Sequence, residues 1–261
     1  MTDTGISVYW APGCSSCLRV KEFLKERGIP FTSVNVAADP GAMDRLAGFG
    51  ARSVPVIERG GAFVYAQSNA DITAFLGLDE AGPEMLAPDV LAARLDRMLR
   101  ASARYLPQVP PHLLHDRYRN FFAPHNLAHH IFRIGEAFLE VDRDGHDYSY
   151  ERMMRGTHDV GPGDDIQDYG AEVIEQVDRW RASAVPGDFS KTVETYYGPQ
   201  TRHEFLERTT WHIAQHTRQL ESVLSDNGVS ANGPLRPEDL EGLPLPRNVW
   251  SEDDALAESE A

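Results

Sequence analysis

The only two cysteines of this 261-residue chain stand three positions apart, in Cys14-Ser15-Ser16-Cys17. Residues 6–10 before them form an apolar run that predicts a buried strand, and residues 18–24 after them carry apolar side chains at helical spacing. The pair is therefore expected where a strand turns into the N-terminus of a helix. There the helix dipole and free backbone N–H groups stabilise a thiolate and lower its pKa below the usual value of about 8.5. We predict redox chemistry, with Cys14 as the nucleophile and Cys17, one turn into the helix, as the resolving thiol.

Two histidines in the C-terminal half, His212 and His216, have the i and i+4 spacing of metal ligands. On a helix from about residue 201 to 224 their Cβ atoms would lie about 5–6 Å apart on one face, which suits two imidazoles on one metal ion. A second predicted helix, residues 124–141, offers three more histidines: His125, His129 and His130.

Helical phase favours His130 over the adjacent His129 as the third ligand. His130 lies three residues after Leu127 and four before Ile134, on the apolar stripe of the helix, whereas His129 is rotated by about 100°. Three neutral imidazoles leave coordination positions open for a thiolate or water, which is typical of catalytic sites. The alternative is that these histidines pack and hydrogen-bond without a metal.

Three other charged residues lie close to these histidines in sequence. Glu136 and Glu140 could orient a metal ligand, but charges on a solvated face are the preferred interpretation. Arg218 either holds a substrate carboxylate, lies on the surface or is bound by the C-terminal tail.

The chain is acidic, with 40 acidic and 25 basic residues and a net charge of −15. Such a surface repels phosphate backbones, so no nucleic-acid partner is expected. We also expect no membrane association, since no apolar run reaches the length of a membrane span. The N-terminus shows no signal-peptide pattern, which predicts a cytoplasmic protein in which a CxxC is redox-active.

Composition and periodicity divide the chain into an α/β part and an all-α part. Residues 1–78 predict the order strand, CxxC, helix, strand, helix, strand, strand, helix, with Asn69-Ala70-Asp71 capping the last helix, Ile72 to Leu76. Residues 79–87 contain Gly-Pro and predict a linker. Residues 88–250 predict four long helices, at about 88–105, 124–141, 166–182 and 201–224, with a short extended pair at 189–197. Residues 251–261 predict an acidic, solvated tail.

The first part resembles the glutaredoxins, which have a thioredoxin-like fold. The residues that carry the resemblance are 9–17 around the CxxC, Ser53-Val54-Pro55-Val56 and Asn69-Ala70-Asp71. The resemblance implies a cis Val54–Pro55 bond beside which a thiol substrate pairs, and an Asp71 that helps to hold the glutathione backbone. The family's usual Gly-Gly before that aspartate is replaced by Ser68-Asn69-Ala70, and its Pro-Tyr by Ser15-Ser16. The cosubstrate is therefore expected to be glutathione or another low-molecular-weight thiol.

The second part resembles the DinB/YfiT-like metal-binding, up-down four-helix bundles, over about residues 85–250. The residues that carry this resemblance are His130-Ile131-Phe132 and the segment from Trp211 to Leu220 with its HxxxH. The resemblance implies a divalent metal, zinc or nickel, on His130, His212 and His216. It also implies a thiol-dependent transferase or isomerase.

Two functional hypotheses follow. In the first, a thiol–disulfide oxidoreductase module is fused to a metal-dependent thiol S-transferase or isomerase that acts on a small electrophile. In the second, only the redoxin part is active, as a reductase of a protein disulfide, and the helical part is a dimerisation or stress-related scaffold. A weaker third option is a redox sensor in which Cys14 and Cys17 gate the metal site. A homodimer is a further candidate assembly.

Overall fold

The computed structural model of the chain describes residues 5–79, 84–119, 121–184 and 187–251. It divides into two compact units, Met1–Glu84 together with Pro246–Ala261, and Met85–Leu245. The predicted linker at 79–87 lies partly, and the predicted tail at 251–261 almost wholly, outside the described residues. The domain limits derived from the sequence therefore stay predictions.

A four-stranded sheet forms the centre of the first unit, with strand order β2-β1-β3-β4. Its strands are β1 (Ile6–Trp10), β2 (Thr32–Asn35), β3 (Val56–Arg59) and β4 (Ala62–Tyr65). Strand β1 runs parallel to β2 and antiparallel to β3, and β3 and β4 form a hairpin. Three helices complete the unit: α1 (Ser15–Glu26), α2 (Ala42–Phe49) and α3 (Asn69–Leu76). The predicted order of elements is confirmed, and the arrangement is consistent with a thioredoxin-like fold.

Neighbouring residues of the two central strands pack on opposite faces of this sheet, as the two-residue period of a strand requires. Val8 and Ile57 belong to one buried cluster, which includes residues of α1 and α3. Tyr9 and Val56 belong to a second cluster, which includes Leu46 of α2. Helices therefore cover both faces, and this explains why both residues of the neighbouring pairs Val8-Tyr9 and Val56-Ile57 are apolar.

Long helices dominate the second unit. They are α4 (Pro88–Tyr105), α5 (Pro124–Asp142), α7 (Ile166–Ala184) and α8 (Arg202–Asp226), with the short helices α6 (Tyr150–Met154) and α9 (Pro237–Leu240). Two short 3-10 helices, Leu106–Gln108 and Pro111–Leu113, follow α4. The ends of the four long helices agree with the predicted ends to within two residues. The strands β5 (Thr192–Val193) and β6 (Gln200–Thr201) form a two-stranded pair. Strand β5 lies within residues 189–197, the segment predicted to form a short extended pair, whereas β6 follows that segment.

The long helices pack through their apolar faces. Helix α4 packs against α7 and α8, and α5 packs against the same two helices. The apolar stripe predicted on α5 is buried: Leu127, Ile131, Ile134 and Phe138 are each at most 1% exposed. Among the described residues, no helix combines the length and the apolar character needed to cross a bilayer.

A network of ion pairs lies where α5 meets α6. Arg133 of α5 is 1% exposed, and its guanidinium contacts the carboxylates of Glu136 and Glu140. Arg152 and Arg155 also contact the Glu140 carboxylate, at 2.6 and 2.5 Å. Burial raises the pKa of Glu140, but the hydrogen bonds from the three arginines outweigh it and lower the pKa to about 2. The interpretation of Glu140 as a solvated charge is therefore wrong.

We predict that Glu140→Gln lowers the free energy of unfolding at neutral pH by about 2 kcal/mol, because three cations lose their shared anion. The folded pKa of Glu140 is depressed, so this stabilisation is fully present above the unfolded pKa of about 4.3. It is lost as the pH falls toward the folded pKa of about 2, where wild type and variant should converge. Urea denaturation over this pH range measures the difference.

Glu175→Gln is the matched control. Glu175 pairs with Arg179 on the surface of α7, where the two side chains are 68% and 63% exposed. Exposed pairs of this kind contribute little, so we expect a loss below about 0.5 kcal/mol. Equal losses in the two variants, or a Glu140→Gln difference that persists in acid, would contradict the assignment.

Candidate functional site

The CxxC lies at the start of α1, where the sequence predicts it. Gly13 has a φ of 73°, a left-handed conformation that glycine adopts at no steric cost and that turns the chain into the helix. Cys14 is the N-cap residue of α1, and its Sγ accepts a hydrogen bond from the backbone N–H of Cys17 at 3.2 Å. The two cysteines form a disulfide. Cys14 is half-buried and Cys17 is 1% exposed, so Cys14 is the more accessible sulfur.

The expected cis proline precedes strand β3. The Val54–Pro55 peptide bond is cis, which confirms that expectation. The carbonyl oxygen of Pro55 accepts a hydrogen bond from the backbone N–H of Ala66 at 3.1 Å. This bond ties the proline to the chain just after β4, ahead of α3.

Asp71 lies in the first turn of α3, half-buried. Its backbone N–H donates to the hydroxyl of Ser68 at 3.0 Å. Ser68 is therefore the N-cap of α3 and the helix begins at Asn69, so the prediction that residues 69–71 cap a helix starting at Ile72 places the start three residues too late. The serine supplies the side-chain oxygen that a helix start favours.

A buried arginine joins α1 to the segment before Asp71. Arg19 is 4% exposed and donates to the backbone oxygen of Gln67 at 2.6 Å and to Oδ1 of Asn69 at 3.0 Å. The hydroxyl of Ser16, between the cysteines, donates to Oε1 of Gln67 at 3.1 Å. Sequence reasoning missed Arg19 and Gln67, because contacts between residues about fifty positions apart leave no periodic signal.

The structure brings His130 of α5 together with His212 and His216 of α8. One ligand atom from each lies within 4.8 Å of the others, and the Nε2 atoms of His212 and His216 are 3.1 Å apart. All three side chains are buried, at 3, 6 and 2% exposure. His129 instead stacks on Tyr169, with the ring centroids 5.0 Å apart.

The donor set fits a divalent metal. Zinc–nitrogen bonds of about 2.0–2.1 Å in a tetrahedral site place the ligand nitrogens about 3.3 Å apart, close to the observed His212–His216 spacing. Burial lowers the pKa of His130 well below its usual value, and burial also lowers the pKa of His216 to about 4. Both imidazoles are therefore neutral at pH 7 and have the lone pair that a metal ligand must offer.

Two side chains contact the outer nitrogens of this cluster. Oε1 of Gln219 lies 2.7 Å from Nδ1 of His216, and the Thr157 hydroxyl lies 3.5 Å from Nδ1 of His130. Such contacts fix the tautomer of a histidine ligand. Gln219 follows His216 by three residues, so helical spacing could have identified it. Thr157 carries no such signal.

Arg218, which follows His216 by two residues, is half-buried, and its guanidinium donates to Oε1 of Gln215 at 2.7 Å. Arg208 contacts the cluster, with its Nη1 3.5 Å from Nδ1 of His212. Sequence reasoning missed Arg208, although its position four residues before His212 places it on the same helix face.

A small mixed sheet, a CxxC at a helix N-terminus and a cis proline before the central hairpin define a thiol redox unit. The chain belongs to the glutaredoxin family, whose sequence profile, Glutaredoxin, matches residues 6–64. The first unit is therefore a glutaredoxin-like thiol redox domain.

Three relatives match part of the chain. N-acetyl-S-hydroxy-L-cysteine reductase of Bacillus subtilis (strain 168) is 40% identical over 62 residues, which is 23% of this chain and 67% of that protein. An uncharacterized glutaredoxin-like 8.6 kDa protein in the rubredoxin operon of Clostridium pasteurianum is 35% identical over 68 residues, 26% of this chain and 91% of that protein. Gene 56 protein of Mycobacterium phage L5 is 43% identical over 53 residues, 20% of this chain and 52% of that protein.

Proposed function

We propose that the chain is a cytoplasmic thiol-handling enzyme with two activities. The first unit is a glutaredoxin-type thiol–disulfide oxidoreductase. The second is a DinB-like four-helix bundle with metal-dependent thiol S-transferase or isomerase activity. The observation that carries the proposal is that a chain with a glutaredoxin CxxC also holds three buried histidines with converging nitrogens.

The redox reaction uses Cys14 and Cys17 in turn. The backbone N–H of Cys17 donates to the sulfur of Cys14 at 3.2 Å, and this contact and the helix N-terminus favour the Cys14 thiolate. The thiolate attacks a substrate disulfide, forms a mixed disulfide and releases one thiolate, which takes up a proton. The Cys17 thiolate then attacks Sγ of Cys14 and releases the second thiol of the substrate. Two electrons pass from the dithiol to the substrate, and the product is the Cys14–Cys17 disulfide.

The proposed substrates are small sulfur compounds, namely glutathione or another low-molecular-weight thiol in its oxidised form. The Bacillus subtilis relative is named as a reductase of N-acetyl-S-hydroxy-L-cysteine, which is a sulfenic acid. With a sulfenic acid, the Cys14 thiolate and one proton give the mixed disulfide and water, and Cys17 completes the reduction as before. Val54, Pro55 and Asp71 are the proposed contacts for the thiol substrate.

In the second unit, His130, His212 and His216 are the proposed ligands of a zinc or nickel ion. Such an ion, when bound, would supply Lewis acidity that favours the thiolate form of a thiol cosubstrate. The chain's own contribution is to hold neutral imidazoles in fixed orientations through Gln219 and Thr157. Their burial also limits the access of water to the cluster.

The proposal is tested on the full-length chain with two assays. Reduced protein should convert glutathione disulfide to glutathione in step with formation of the Cys14–Cys17 disulfide. After removal and readdition of zinc, the protein should conjugate glutathione to chlorodinitrobenzene only when zinc is present. If His212→Ala leaves both assays unchanged and no metal binds to the wild type, the helical unit is a scaffold and the chain is a reductase alone.

A further inference from the structure

The proposed reductase site combines groups from two helices that lie far apart in the sequence. Cys14 caps the start of α1, and Asp71 lies in the first turn of α3. Farther along, Leu24 of α1 and Leu76 of α3 belong to one buried apolar cluster. Apolar packing is not directional, so it does not by itself fix how the two helix starts lie relative to each other.

Hydrogen bonds from α1 to the segment that leads into α3 supply that direction. Arg19 donates from Nη2 to the backbone oxygen of Gln67 at 2.6 Å and from Nη1 to Oδ1 of Asn69 at 3.0 Å. The hydroxyl of Ser16 donates to Oε1 of Gln67 at 3.1 Å. Because the guanidinium is planar and rigid, its two bonds set both the distance and the orientation of this segment.

The contacts between α1 and this segment are buried. Arg19 is 4% exposed, Ser16 5% and Gln67 2%. Burial of a cation costs free energy, and apolar side chains of similar volume would join the two elements without that cost. Hydrogen bonds weaken steeply when their distance or angle departs from the ideal, so they fix positions that apolar contacts leave free. The guanidinium therefore contributes placement more than stability.

Residues 67–69 lead directly into the helix turn that carries Asp71. The N–H of Asp71 donates to the hydroxyl of Ser68 at 3.0 Å, so this segment and the first turn of α3 form one capped unit. The N–H of Ala66, just before the segment, donates to the backbone oxygen of Pro55 at 3.1 Å. The segment therefore connects the cis proline with Asp71, and its displacement from α1 would move these proposed substrate contacts relative to the redox sulfurs.

We propose that Arg19 is a positioning residue of the reductase, which holds residues 67–71 against α1 so that a bound thiol substrate presents its sulfur to Cys14. This inference rests on the proposed reductase function and adds to it a dependence on the kind of substrate. A disulfide with peptide groups, such as glutathione disulfide, binds through Asp71 and the cis proline and so depends on Arg19. A small disulfide without such groups, such as 2-hydroxyethyl disulfide, needs only the Cys14 thiolate.

The test compares these two disulfides in single-turnover oxidation of the reduced full-length chain, without added glutathione. Arg19→Met keeps the length of the side chain but removes its donors. We expect its rate constant with glutathione disulfide to fall by about tenfold to a hundred-fold at low substrate concentration, with a higher half-saturating concentration. Its rate constant with 2-hydroxyethyl disulfide should stay within about two-fold of the wild type.

Arg27→Met is the matched control, since Arg27 is an exposed arginine at the other end of α1. It should react like the wild type with both disulfides. Asn69→Ala is a second, milder variant that removes one acceptor and leaves Arg19 in place. It should show a smaller loss, confined to glutathione disulfide. In the double variant the losses of Arg19→Met and Asn69→Ala should not add, because both remove the same hydrogen bond.

Three outcomes would overturn the inference. If neither Arg19→Met nor Asn69→Ala loses the reduction of glutathione disulfide selectively, Arg19 does not position the substrate. Additive losses in the double variant would show that the two residues act separately. A wild type that reduces neither disulfide would overturn the proposed reductase function as well.

Discussion

Cys14→Ser should abolish the reduction of glutathione disulfide by the full-length chain, with a rate loss on the order of a thousand-fold or more. Cys14 is the N-cap of α1 and the more accessible of the two sulfurs. A serine hydroxyl keeps the capping hydrogen bond but does not ionise near neutral pH, so the fold should persist while the nucleophile is lost. Stopped-flow or coupled assays of thiol release measure the rate.

Cys17→Ser should give a different result, because Cys17 acts after the first bond has formed. The variant should accumulate one glutathione per chain on Cys14, visible as an adduct in intact-protein mass spectrometry and reversed by a reductant. Accumulation of the adduct on Cys17 in Cys14→Ser would reverse the two roles.

Ser15→Ala is the matched control for both cysteine variants. Ser15 lies between the cysteines, and its buried hydroxyl has no hydrogen-bond partner among the described residues. We expect its reductase rate to stay within a few-fold of the wild type. A loss comparable to that of Cys14→Ser would show that the assay reports damage to the start of α1 and not the chemistry of the sulfur.

The order of elements in the first unit was predictable because each one carries a local signal. Strand β1 is an apolar run, the turn between β3 and β4 contains Gly60-Gly61, and the CxxC stands where strand becomes helix. The cap of α3 was misplaced because Ser68 and Asn69 are both good N-cap residues. The extended backbone of Ser68 and the hydrogen bond from the N–H of Asp71 to its hydroxyl identify Ser68 as the N-cap.

The histidine cluster was predictable for a related reason. The i and i+4 spacing of His212 and His216 and the apolar stripe of α5 are both periodic signals within one helix. Arg208 lies on the same face of α8, but the tyrosines that accept its hydrogen bonds, Tyr148 and Tyr196, come from about sixty residues earlier and from the segment before β6. Contacts across such separations depend on the packed structure, and a single sequence does not encode them in any spacing.

The substitutions His130→Ala and His129→Ala should show which of the two adjacent histidines of α5 binds the metal. The imidazole of His130 lies with those of His212 and His216, whereas His129 stacks on Tyr169. We expect His130→Ala to weaken zinc or cobalt binding by about a hundred-fold or more, since one of three protein ligands is lost. His129→Ala should stay within about tenfold of the wild type, because among the described residues His129 contacts the cluster indirectly, through the Thr157 hydroxyl 3.4 Å from its Nδ1.

Metal content and metal-dependent stability give two independent readouts of this pair. A metal that binds only the folded state raises the free energy of unfolding by about 2.7 kcal/mol at a hundred times its dissociation constant. The wild type and His129→Ala should therefore gain stability from added zinc, and His130→Ala should gain almost none at the same concentration. The reverse pattern would make His129 the ligand. An equal zinc response in both variants would mean that neither histidine binds the metal, because a lost ligand must lower the affinity whatever its effect on the apo fold.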